Sequence, residues 1–208
     1  ARAEGKLADL VESAFRKLVT LGLFPLLLLT VVGRDLFVVV FGESWAEAGV
    51  YTQMLSLWAF LWFVSAPLNN LFNVLERQEL NLTLNSAKLA LRLLALLVGG
   101  LLGSARLTIL LYAMVGILAG GYLNLAIASA AGVSWWSMAK MLLSQVALFI
   151  PVGALILVLK LCGVQPLFVL STGGILLGVY VVYAWKDDPF VAQLRRRLRA
   201  AMGPATLE

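Results

Sequence analysis

The sequence predicts an all-α membrane protein, a bundle of six transmembrane helices. Three observations predict it. Of the 208 residues, 62% are hydrophobic and only 13% are charged, against roughly 45–50% and about 25% in soluble domains. Six separate runs are long enough to cross a bilayer, which takes about 20 mostly apolar residues. Trp45, Trp135, Trp136 and Trp185 stand near the ends of those runs, where an aromatic belt belongs.

The first run covers about residues 14–32, with Pro25 as an expected kink. Before it stands ARAEGKLADLVESAFRKL, which is charged and amphipathic and lacks the apolar core of a signal peptide. The chain is therefore expected to be part of a longer protein. Arg34 and Asp35 mark an interface, and LFVVVFG (36–42), too short to span, is expected to lie there. The second run covers about 46–75, with Pro67 inside it. The others cover about 80–103, 107–131, 136–161 and 166–185, and no internal repeat relates the six. Pro and Gly inside several of them are tolerated better in membrane helices than in soluble ones. In the tail (186–208), Phe190, Val191, Leu194 and Leu198 share one helical face opposite basic residues. That pattern fits a surface helix resting on anionic lipid.

Basic residues orient the bundle. With the N-terminus cytoplasmic, that side receives 13 Lys and Arg, including Arg77, Lys88, Arg92 and Lys140. The outer side receives Arg34, Arg106 and Lys160. The positive-inside rule then places both termini in the cytoplasm. The net charge of +5 thus speaks to topology. No aromatic-interleaved basic patch, P-loop or GxGxxG stands out, so neither a nucleic-acid partner nor a cofactor is expected. Histidine is absent and Cys162 is the single cysteine. That excludes disulfides within the chain, Cys/His metal sites and a histidine base. Cys162 is expected to pack as a small apolar residue.

One stretch breaks the apolar monotony. APLNNLFNVLERQELNLTLNSAKLALRLL (66–94) gathers five Asn, two acids and three bases. Asn81, Asn85, Lys88 and Arg92 are spaced 4, 3 and 4 apart, which places them on one helical face. Asn70, Asn73 and Arg77 form a similar stripe on the preceding run. The turn at Arg77-Gln78-Glu79 is expected to bring the two helices together as antiparallel neighbours. A central Lys or Arg costs about 2.5–3.5 kcal/mol to insert, and each Leu returns about 0.3–0.6. The eleven Leu between 80 and 102 offset two such bases, so the helix inserts with its polar face toward protein or water. At 1.5 Å per residue, Lys88 lies roughly 6 Å deep, within snorkelling reach, and Arg92 roughly 12 Å deep. The asparagines fit either interhelical hydrogen bonding or a ligand. Between Ala48 and Lys186 the carboxylates are Glu76 and Glu79, both at the turn. Buried bases without buried acids suit an anionic group such as a phosphate or pyrophosphate.

Residues 41–100 resemble the C-terminal half of bacterial polysaccharide flippases, in the multidrug/oligosaccharidyl-lipid/polysaccharide exporter superfamily. The matching features are FG-x-x-W-x-x-AG at Phe41–Gly49, the Pro67 kink, the E-R-Q turn at Glu76–Gln78 and the basic-then-Leu-rich run that follows. LLYAMVGILAGGYLNLAIASAAGVS (110–134) is similar to the family's next helix and loop. The resemblance implies one six-helix lobe of a two-lobe transporter, its N-terminal lobe lying outside this chain. It also implies alternating access in a bacterial inner membrane. The implied cargo is an undecaprenyl-pyrophosphate-linked glycan, bound by Arg92 first, then Lys88, with Asn73, Asn85 and Asn70 beside them. No catalytic residue and no metal are implied.

Two other readings stand beside this one. A drug–cation antiporter of the same superfamily would need a membrane-embedded acid elsewhere. A membrane transferase would lack a general base. Pro25 and Pro67 are either flex points or fixed kinks. Trp58 and Trp62, four apart, are placed either to stack on sugar rings or to pack against lipid and neighbouring helices.

Overall fold

The computed structural model describes residues 2–68 and 78–186. Among them there is no strand. α1 spans Arg2–Phe41, followed by a short 3-10 turn at Glu43–Trp45 and α2 at Ala46–Leu68. Then come α3 (Gln78–Leu101), α4 (Ala105–Ala130), α5 (Trp135–Leu161) and α6 (Pro166–Lys186). Each of these six helices contains a stretch long and apolar enough to cross a membrane. The expected six-span bundle is thus present. Pro67 lies beside the described end of α2. The sequence-predicted 69–75 part of that helix, the basic tail beyond Lys186, and Asn70, Asn73 and Arg77 lie outside the described residues.

α1 is the axis. Its buried positions Val11, Phe15, Val19, Leu23, Leu28 and Val32 recur every four or five residues along one stripe. On one flank of α1 lies α2, then α4, then α3; on the other lie α5 and α6, which also touch each other. Two cores result. Phe15, Val19 and Leu23 meet Phe60 and Val64 of α2, Ile127 of α4 and Met138 of α5. Further along, Phe24, Leu28 and Val32 meet Phe149 and Ile156 of α5 and Val169 and Tyr180 of α6. Phe24 stacks on Tyr180 at 4.2 Å between centroids and receives the edge of Phe149 at 5.3 Å. The Tyr180 hydroxyl donates to the Thr20 carbonyl and lies 2.9 Å from Gln145 Oε1.

One expectation needs correction here. α1 does not stop near residue 32; it continues unbroken through Gly33, Arg34 and Asp35 to Phe41. Neither charge ends it, because each finds a partner beside the helix, as described below. The link between α2 and α3, where the turn is expected, lies outside the described residues; among those described, Arg92 of α3 reaches Trp58 of α2. The long seam of α3 is with α4, where Gly99 admits Thr108 so closely that a Cβ would stand 2.3 Å from its Oγ1.

The turns follow from local chemistry. α4 and α5 both end on a left-handed glycine, Gly132 (φ 77°) and Gly163 (φ 72°). In each, the next amide reaches back five residues: Val133 N to Ala128 O at 2.9 Å and Val164 N to Leu159 O at 3.1 Å. Ser104 opens α4 by accepting from Leu107 N. Cys162 sits in the α5–α6 turn and is exposed; it does not pack as a core residue, because the helix has already ended there. Trp45, Trp135 and Trp136 are likewise exposed at helix ends, as an aromatic belt requires.

Candidate functional site: a guanidinium in an aromatic corner

α3 is two-faced. Leu82, Leu89, Leu93, Leu97 and Leu101 are exposed and form the face suited to lipid. Asn81, Asn85, Lys88 and Arg92 are half-buried along the opposite side, in line with Ala95 and Gly99. The expected stripe is therefore real and turns into the α3–α4 seam. Its asparagines bond along their own helix: Asn85 Nδ2 donates to Asn81 O at 2.9 Å and to Asn81 Oδ1 at 2.7 Å.

Arg92 lies near the middle of the apolar span Asn81–Leu101. Its guanidinium carbon sits 5.0 Å from the Trp58 ring centroid and 4.8 Å from that of Tyr112. The two rings stand at 75° to each other, 5.5 Å apart, and form a corner. Gly116 makes the corner possible. A Cβ there would stand 2.1 Å from Trp58 Cδ1, so the indole lies directly on the α4 backbone. Arg92 Nε is buried and has no hydrogen-bond partner. Among the described residues, no carboxylate pairs with Arg92 or Lys88.

The energetics of this corner separate burial from neutralisation. Each cation–π contact stabilises by about 0.5–2 kcal/mol, more when desolvated. Two of them offset most of the roughly 2.5–3.5 kcal/mol that a central arginine costs to insert. A carboxylate would also have offset that cost, but it would have cancelled the charge. Aromatic faces leave the full positive charge uncancelled, for an anion that would meet the terminal N–H groups; Nε itself is buried.

The three bases assigned to the outer side differ. Arg34 pairs with Glu43 at 3.0 Å, and Arg106 grips Glu47 through two hydrogen bonds of 2.9 and 2.7 Å. Lys160 reaches Asp35 at 2.8 Å, a close ion pair that leaves Asp35 Oδ2 without an aligned donor. Lys160 also donates to the Val31 carbonyl, which accepts Gln53 Nε2 as well. All three bases assigned to the outer side thus carry an acid partner, while Lys88 and Arg92 of α3 carry none among the described residues.

Trp58 is a packing residue in contact with Arg92, and Trp62 is exposed. Sequence reasoning missed Tyr112 and Gly116, although their spacing of four on one helix was a usable signal. It also missed Asn124, buried on α4, whose Oδ1 accepts from Ser65 on α2 at 3.1 Å. No group of His, Cys, Asp or Glu able to hold a metal ion occurs among the described residues. Comparison with protein-family models, curated proteins and solved structures finds no match to this chain.

Proposed function

We propose that this chain is one lobe of a transporter that flips a lipid-pyrophosphate-linked oligosaccharide across a bacterial plasma membrane. The carrying observation is the Arg92 corner: a mid-span guanidinium, held by two aromatic rings and matched to no acid among the described residues. A transporter of organic cations would place an acid at this depth; a carrier of a pyrophosphate needs the reverse. The local resemblance of residues 41–134 to polysaccharide flippases points the same way. In this reading Arg92 meets the diphosphate, Lys88 adds charge one turn nearer the cytoplasm, and Asn85 offers polar contacts. A second lobe completes the cleft, and the two rock between inward- and outward-open states. The chain supplies no chemistry, only binding and movement.

The test is export of the lipid-linked glycan in cells carrying the complete protein. Arg92→Ala is expected to abolish export while membrane insertion stays normal. Arg92→Lys, which keeps the charge but loses the planar fork, is expected to retain only a fraction. Full export by Arg92→Ala would remove Arg92 from the site and with it the support for this function.

A further inference from the structure

Lys88 has a setting of its own. A groove of about 400 Å³ runs along the α3–α4 seam, and among the described residues Lys88 is the one charged residue lining it. Leu84, Leu91, Leu118 and Tyr122 form its apolar flanks, and the small side chains of Ala87 and Ala119 leave the space between them. Leu118 and Tyr122 are 71% and 61% exposed, so the groove opens outward. Among the described residues none of α1, α2, α5 or α6 lines it, so it opens away from the rest of the bundle. Trp58 and Tyr112, the rings that hold Arg92, do not contribute to it.

We propose that this groove holds an acyl chain of an anionic glycerophospholipid, with the Lys88 ammonium bound to its headgroup phosphate. The volume falls in the range of small-ligand sites, and apolar flanks suit a hydrocarbon chain rather than a glycan. The charge fixes the headgroup. Lys88 has no acid partner among the described residues, and Arg92 stands one helical turn away on the same face. A zwitterionic headgroup brings its own cation into that positive field; an anionic one does not. Lysine's flexible stem reaches from the groove to the phosphate level by snorkelling. The proposal does not depend on transport of any substrate.

The experiment is lipid retention by the full-length protein, extracted from vesicles of phosphatidylglycerol and phosphatidylcholine in equal parts and weighed by native mass spectrometry. The unaltered protein is expected to keep phosphatidylglycerol about fivefold over phosphatidylcholine, the factor one lysine supplies at a membrane surface. Lys88→Gln is expected to bring the ratio to parity, and Lys88→Arg to preserve it. Ala119→Leu, which fills the groove and leaves the charge, is expected to lower retention of both lipids. Lys140→Gln, which alters an exposed lysine over Trp136, is expected to change nothing. Equal retention by the unaltered protein, or an unchanged ratio in Lys88→Gln, overturns the proposal. Preferential retention of added undecaprenyl phosphate overturns the choice of a resident phospholipid. None of these outcomes bears on whether Arg92→Ala blocks export.

Discussion

Replacing Asp35 by Ala is expected to destabilise the bundle by about 3–5 kcal/mol, the usual effect of breaking a buried ion pair from one side. Asp35 and Lys160 stand 2.8 Å apart, with side chains 12% and 27% exposed. Without the carboxylate, the ammonium keeps its hydrogen bond to the Val31 carbonyl at 2.8 Å and lies partly desolvated inside the bundle. The quarter-exposure of Lys160 draws the expected loss toward the lower end of that range. Removing both charges tests the cause. Asp35→Leu with Lys160→Met should recover most of the loss, because apolar replacement of a buried pair is often neutral or stabilising by about 1–4 kcal/mol. Val31 O remains satisfied there by Gln53 at 3.0 Å. The exposed pair Arg34–Glu43, 50% and 72% exposed, supplies the contrast: Glu43→Ala should cost no more than about 1 kcal/mol. Denaturation of the purified protein in mixed micelles measures these three variants, with Asp35→Leu and Lys160→Met made singly to close a double-mutant cycle. Equal losses for Asp35→Ala and Glu43→Ala, or a double variant as unstable as the sum of its singles, would refute the reasoning.

Other expectations concern the corner and the topology. Gly116→Val must push Trp58 off α4, since a Cβ there meets Trp58 Cδ1 at 2.1 Å. It should cost about 1–3 kcal/mol and reduce export, whereas Gly121→Ala, with open space around it, should do neither. Cys162 is exposed in the α5–α6 turn, at the end of the bundle assigned to the outside. A membrane-impermeant maleimide should therefore label it in intact cells, and labelling only after permeabilisation would invert the orientation.

The six spans were legible because an apolar run of bilayer length admits few other interpretations, and the α3 stripe because helical spacing is a local property. Asp35 was misread for the opposite reason. Its partner lies on α5, far along the chain, so a charge near the end of an apolar run looked like a boundary. Cys162 was misread because composition says what a residue prefers, while the end of α5 decides where it sits. The Arg92 stripe showed that a buried base needed compensation, yet not its source; that required knowing that α4, carrying Tyr112 and Gly116, lies between α2 and α3. Pairing of helices is a tertiary fact that no local run of sequence contains.

Pro25 stands where α1 passes from one core to the other. Leu23 belongs to the cluster with α2 and α4, and Phe24 opens the cluster with α5 and α6. Proline lacks the amide that would tie it to the preceding turn, so the shared rod is least braced at the joint between its two packing neighbourhoods. Leu27, just past Pro25, packs against both clusters, so a single side chain stitches the two neighbourhoods together across the joint. Any bend at Pro25 has to carry that leucine with it.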